Sequence, residues 1–276
     1  MSSVGSTTPS SRSSGSRPRR AFPPTATFRP RSLPRAPCRV ERLGILPGMI
    51  RAVLFDAAGT LIETREPVGG VYARHARKHG VEISARRLGE AFARVFEAAP
   101  PLVFPGLGTE ERGEQERGWW RARVHETFRA ADSAQRPDDF EALFEGLWRH
   151  FSDPGEWKTR RDAAETLVRL RAQEIQTGVV SNFDGRLPGI LGGLGLLSLL
   201  DTVVLPADAG AAKPDPRIFA MALERLAVRP EDSIFVGNDA QRDLAGARAA
   251  GLRAVDATAL ATLADLPLTT TGSTAP

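Results

Sequence analysis

Residues 53–62 read VLFDAAGTLI. A short, unbroken apolar run ends at Asp56, and Gly59 and Thr60 follow at once. Such a run marks a strand buried on both faces, as in a parallel sheet covered by helices. The carboxylate at its end is delivered into a loop. Two residues later stands Ala58, where a second carboxylate would equip the same loop for proton transfer. Whether this loop does chemistry depends on what other loops meet it.

Downstream, the stretch from about 66 to 156 is helical in character. ISARRLGEAFARVFEAA and DDFEALFEGLWRHF carry apolar residues at i, i+3 and i+4, and VYARHARKH (71–79) continues into helix-like sequence before Gly80. Residues 160–173 predict another helix. Alternation then sets in, with strands at 175–181, 201–206, 233–237 and 253–257. Helical stretches separate them, among them DPRIFAMALERLA, where Asp215 is placed to cap and Pro216 to occupy the first turn. DLAGARAAG (243–251) predicts a further helix. Strands alternating with helices give an α/β fold, a three-layer doubly wound parallel sheet. Ligands in such sheets bind beyond the carboxyl ends of the strands.

The candidate chemical groups all fall at those ends. Asp56 closes the first strand, Ser181 and Asn182 follow the second in VVSNFDGRL, and Lys213 follows the third in GAAKPDPRIF. Asn238, Asp239 and Asp243 follow the fourth in FVGNDAQRDLAGA. A carboxylate, a hydroxyl, a lysine and an acidic pair therefore converge on one crevice.

In type, order and rough spacing these four motifs resemble those of the haloacid dehalogenase (HAD) superfamily, over residues 51–257. The helical insert of about 90 residues between the first two resembles a cap of the C1 class. The wording VSNFDGRL, KPDPRIF, YARHARKHG and GWWR is similar to the haloacid dehalogenase-like hydrolase domain-containing 3 group. The resemblance implies a core domain over 49–65 and 157–265, a helical cap over 66–156 and a tail at 266–276. It implies Asp56 as a nucleophile forming an aspartyl intermediate. Ser181 would hydrogen-bond the transferring phosphoryl group, and Lys213 would neutralise developing negative charge. Asn182, Gly59 and Thr60 would face substrate, with backbone N–H groups near Gly59 turned toward an anion. Asp239 and Asp243, with Asn238, would hold Mg²⁺ beside Asp56 and the carbonyl of Ala58.

Two departures matter. Family phosphatases usually read DxDGT in the first motif, the second aspartate moving the leaving-group proton, and a methyl group at Ala58 moves none. Asn238 stands where the family often has an aspartate, with Asp239 one residue late. The retained acids favour a Mg²⁺-dependent phosphatase acting on a small phosphorylated molecule with a good leaving group. The alternatives are a dehalogenase-type carbon-centre hydrolase using the same aspartate, and a catalytically weak phospho-ligand binding or interaction module. A Schiff-base mechanism would need a cap lysine, and Lys78 is the only one well inside the insert. The four tryptophans (119, 120, 148, 157) read as packing, the histidines (75, 79, 125, 150) as structural or surface residues, and Asp184 and Arg186 stand near the site entrance.

Composition bounds the rest. The 276 residues are 41% hydrophobic and 25% charged, ordinary for a globular chain. No run approaches the roughly 18 apolar residues of a membrane helix, so no membrane partner is expected. Cys38 is the sole cysteine, which excludes an intrachain disulfide and a cysteine-based zinc site. Residues 1–48 hold nine arginines against Glu41, a net of +8; the whole chain is +4, so the remainder is −4. The basic charge belongs to this Ser/Pro/Arg-rich extension, which reads as disordered, and nucleic acid is not the expected partner. The extension is a dispensable tail, an organelle transit peptide, or the product of a start assigned upstream of Met49. The expected setting is cytoplasmic, or an organelle if 1–48 is a transit peptide.

Overall fold

A computed structural model describes residues 49–160 and 162–269. The reading of residues 1–48 as disordered, and the last residues of the expected tail, lie outside them. Strand β1 (Ala52–Phe55) is buried along its whole length. Its side chains alternate between two cores: Val53 and Phe55 enter one, Ala52 and Leu54 the other. That is why the run is apolar without a break.

The chain leaves β1 through the Asp56–Leu61 loop into a short strand, β2 (Ile62–Thr64). Four helices follow: α1 (Val68–Arg77), α2 (Ala85–Glu97), α3 (Thr109–Ala131) and α4 (Phe140–Ser152). Ser84 caps α2 by accepting from the Arg87 N–H, and Asp139 caps α4 by accepting from that of Ala142. Their apolar stripes form a core of their own around Tyr72, Leu88, Val124, Phe128, Leu143 and Phe144. The chain returns through β3 (Trp157–Thr159), which pairs antiparallel with β2, Ile62 opposite Thr159 and Thr64 opposite Trp157. This two-stranded ribbon is the stem on which the helical insert stands.

Helix α5 (Ala163–Ala172), β4 (Gln176–Val180), α6 (Leu187–Gly193), β5 (Thr202–Val204), the short α7 (Pro206–Ala209), α8 (Pro216–Leu226) and β6 (Ser233–Gly237) complete most of the alternating part. The last strand, β7 (Arg253–Asp256), follows a π-helical turn at Ala240–Ala245 and α9 (Gly246–Ala249). The main sheet runs β5-β4-β1-β6-β7, every neighbouring pair parallel. Helices α5 and α6 cover one face, and α8 and α9 the other. β1 lies at the centre, so the strand order reverses there and Asp56 sits at the crevice.

Two details differ from expectation. The helix predicted over 243–251 begins instead with the π turn. Residues 266–269 of the expected tail stay attached to the core: Leu266 is buried, and Met49 bridges to Thr269. Among the described residues no helix is long and apolar enough to cross a membrane.

Candidate active site

Asp56 extends the β1 ladder by donating its N–H to Val236 at 2.9 Å, which fixes the carboxylate at the sheet edge. Lys213 arrives from the loop before α8. Its Nζ donates to Asp56 Oδ1 at 2.6 Å and to Asp243 Oδ1 at 2.6 Å, and all three residues are buried. Burial pulls the lysine pKa down, but Asp56 and Asp243, by charge and hydrogen bond, outweigh it and raise it. The lysine stays a cation. Burial lifts the Asp56 carboxyl above its ordinary range; Lys213 offsets part of that rise and Asp243 adds to it.

The second oxygen of Asp243 accepts the N–H groups of Asn238 and Asp239, both at 3.0 Å. Gly237 makes this approach possible: a Cβ there would lie 2.4 Å from Asp243 Oδ2. The π turn supplies the rest of the geometry, widening the first turn so that Asp243 folds back over the strand end.

Asn182 does not present a free amide to the crevice. Its Nδ2 donates to the Lys213 carbonyl at 2.9 Å, and its Oδ1 accepts from the Lys213 N–H at 2.7 Å. It clamps the lysine backbone. Asp239 is engaged as well: Oδ1 accepts from the N–H groups of Gln241 and Arg242, and Oδ2 pairs with the Arg242 guanidinium at 3.0 Å. Burial would raise its pKa, but these N–H groups and the arginine outweigh it and hold it below the usual range. The expectation of an acidic pair shared by one cation therefore does not match the geometry. Asp239 caps the π turn. Arg242 also reaches Glu97 of α2 at 2.7 Å, joining the insert to the core.

Gly59 adopts φ +87°, and a Cβ there would fall 2.7 Å from Asn238 Nδ2. The Asn238 amide thus lies directly on the first loop. Thr60 is buried, its hydroxyl 3.4 Å from Asn238 Oδ1, so it braces that loop from beneath. Among the described residues no three His, Cys, Asp or Glu side chains cluster as metal ligands. The oxygens that remain for a cation are Asp56 Oδ2, the Ala58 carbonyl and Asn238 Oδ1. One carboxylate with neutral oxygens fits Mg²⁺, a cation that keeps several waters and takes further oxygens from substrate.

Above these groups lies a cavity of about 450 Å³ between core and insert. Asp56, Ala58, Gly59, Ser181, Asn182, Lys213, Asn238, Asp239 and Asp243 line it; Thr60 does not. Trp120, Trp148 and Trp157, expected only to pack, line it too, with Tyr72 and a set of phenylalanines. Arg186 projects into it, held by Asp184 through Nε at 2.8 Å and Nη2 at 2.6 Å. Asp184 also accepts from Trp120 Nε1 at 2.6 Å, across 64 residues of sequence. The NFDGRL wording marked Asp184 and Arg186; nothing local marked their aromatic partners. Lys78 does not line the cavity.

A parallel α/β sheet with a carboxylate, a lysine and a hydroxyl at its switch point, roofed by a helical insert, defines a hydrolase class. A family model described as haloacid dehalogenase-like hydrolase matches residues 50–251, and the chain belongs to that family. Haloacid dehalogenase-like hydrolase domain-containing protein 3 of Bos taurus is 38% identical over 203 residues, 74% of this chain and 80% of that protein. The ribulose-1,5-bisphosphate 5-phosphatase of Halopiger xanaduensis is 29% identical over 208 residues, 75% of this chain and 84% of that protein. A crystal structure of a dehalogenase superposes with a TM-score of 0.56 at 27% identity, over 75% of this chain and 84% of its own.

Proposed function

We propose that the chain hydrolyses small phosphate monoesters or anhydrides with good leaving groups, through a covalent phosphoryl–Asp56 intermediate. The observation that carries this reading is the pairing of a lysine-held Asp56 with a methyl group, Ala58, in the same cavity. Similarity to a phosphatase over three quarters of the chain supports it.

An Asp56 oxygen attacks phosphorus as the bond to the leaving oxygen breaks, and water then cleaves the acyl phosphate, returning Asp56 and releasing phosphate. Lys213 keeps Asp56 oriented and offsets the added negative charge. Ser181, buried at the end of β4 and lining the cavity, is placed to donate to a phosphoryl oxygen. Asn182 keeps the lysine loop in register. Among the described residues, every other carboxylate lining the cavity already has a cationic partner. Asp243 and Asp239 are engaged as described, and Glu63, which also lines the cavity, pairs with Lys158 of the stem at 3.1 Å. The leaving group therefore departs as an anion, which selects acyl and aryl phosphates over alkyl phosphates. The insert, in this reading, is a cap that excludes water and selects the substrate.

Mg²⁺ held by Asp56, the Ala58 carbonyl and Asn238 would reduce the repulsion between an anionic nucleophile and an anionic substrate. Asn238→Asp adds a second charge to that donor set. It is expected to lower the Mg²⁺ concentration that raises the melting temperature by about tenfold. Thermal unfolding across a Mg²⁺ titration reads this without substrate, and an unshifted midpoint would remove Asn238 from the set.

The direct test is turnover of acetyl phosphate and p-nitrophenyl phosphate by the full chain, with and without Mg²⁺, beside Asp56→Asn. Loss of at least about 10³-fold in the variant is expected, since an amide is no nucleophile. A folded wild-type protein inert toward both substrates would refute the reading. Similarity to a dehalogenase structure and the same Ala58 favour a second reading, carbon-centre hydrolysis from Asp56. Halide release from chloroacetate without metal would establish it.

A further inference from the structure

The cavity combines a few polar groups with a largely aromatic lining. At the floor stand Asp56, Lys213 and Ser181. On the wall stand the Arg186 guanidinium and Tyr72, the only tyrosine of the chain. The lining also includes the aromatic rings of Phe92, Phe96, Trp120 and Trp148.

Arg186 is held rigidly. Its guanidinium carbon lies 3.9 Å from the ring centre of Trp148 and 5.6 Å from that of Trp120. Asp184, buried to 1% exposure, takes Nε and Nη2. Nη1 makes no hydrogen bond among the described residues, and neither does the Tyr72 hydroxyl. Burial raises the Tyr72 pKa and the Arg186 charge offsets part of the rise, so the phenol stays protonated as a donor. Two donors without a hydrogen bond among the described residues thus belong to residues that line one cavity. Asp184 already neutralises Arg186, so a second anion gains no net charge there. A neutral acceptor such as a carbonyl gains two hydrogen bonds.

We infer that this pocket selects phosphates borne on an aromatic ring that carries a neutral hydrogen-bond acceptor at its far edge, with Trp148, Arg186 and Tyr72 as the specificity-determining residues. This rests on the reading of Asp56 as the phosphoryl acceptor. The absence of a leaving-group acid leads independently to the same class. A phenol, with a pKa of about 10, leaves as an anion far more readily than an alkanol, which is a far weaker acid. An aromatic ring is also what an aromatic-lined cavity of this volume encloses.

Phosphonates test the pocket apart from the chemistry, because their carbon–phosphorus bond is not cleaved by this route. Dissociation constants of methylphosphonate, phenylphosphonate and 4-acetylphenylphosphonate are measured calorimetrically on the full wild-type chain. Phenylphosphonate is expected to bind about 10–100-fold tighter than methylphosphonate. The acetyl group is expected to add about fivefold, lost in Tyr72→Phe. Trp148→Leu is expected to lose most of the phenyl preference while keeping affinity for methylphosphonate. Equal affinities for methyl- and phenylphosphonate overturn the inference even if acetyl phosphate is hydrolysed. Tight phenylphosphonate binding without acetyl phosphate turnover supports the pocket assignment and removes the phosphoryl-transfer reading instead. An acetyl increment that survives Tyr72→Phe overturns the assignment of Tyr72.

Discussion

Lys213→Met is expected to lower the unfolding free energy by about 3–5 kcal/mol and to abolish turnover. The lysine nitrogen bridges two buried carboxylates, 2.6 Å from each, and the side chains of Asp56 and Asp243 are 11% and 2% exposed. Methionine fills the volume but leaves two like charges in a site that excludes most water. Asp243 has two backbone N–H groups to lean on, and Asp56 has that of Ala57. Protonating one carboxylate relieves the repulsion, so the loss is expected to shrink as pH falls toward the carboxylate range. Adding Asp243→Asn to Lys213→Met removes one charge and is expected to recover at least half the lost stability with no recovery of turnover. Urea unfolding of the three proteins at one pH, with an acetyl phosphate assay alongside, reads both effects. A loss under about 1 kcal/mol in the single variant would mean that water already solvates the triad.

The same triad shows how far the sequence carries. Asp56, Ser181, Lys213 and Asp243 follow short strands that alternate with helices, and a parallel sheet brings such ends together whatever fills the loops. The helical insert is equally legible, because α2 and α4 repeat their apolar residues with helical spacing. What the sequence hides is direction. Asp239 and Asp243 look alike on paper, four residues apart in one loop. The π turn aims one at Lys213 and the other at its own backbone and Arg242. Asn182 reads as a substrate-facing amide, yet both ends of that amide are tied to Lys213, 31 residues away. The aromatic lining of the cavity is hidden for a related reason. A tryptophan on a helix stripe packs or lines a cavity according to what faces it across the fold, and no local pattern encodes the facing element.

Ala58→Asp is expected to raise kcat/KM for an alkyl phosphate such as glycerol phosphate by about 10²–10⁴-fold, the usual range for a positioned general acid. For acetyl phosphate a change of less than about threefold is expected. Ala58 is exposed, lines the cavity and follows Asp56 by two residues, so a carboxyl there reaches the leaving oxygen without displacing a packed side chain. The loop is already braced for it. The Gly59 N–H donates to the Ile62 carbonyl at 2.8 Å, and Ala58 bridges to Ile62. An alkoxide is too basic to leave unprotonated, whereas acetate leaves readily as an anion, so an added acid helps only the first. The ratio of the two substrates is therefore the diagnostic, since a general improvement in folding or metal binding would raise both together. A rise confined to the alkyl ester would mean that Asp56, Lys213 and Ser181 retain complete phosphoryl-transfer machinery and that Ala58 sets which leaving groups it accepts. Equal gains on both substrates, or none on either, would mean that the rate is limited elsewhere and that Ala58 does not select the substrate.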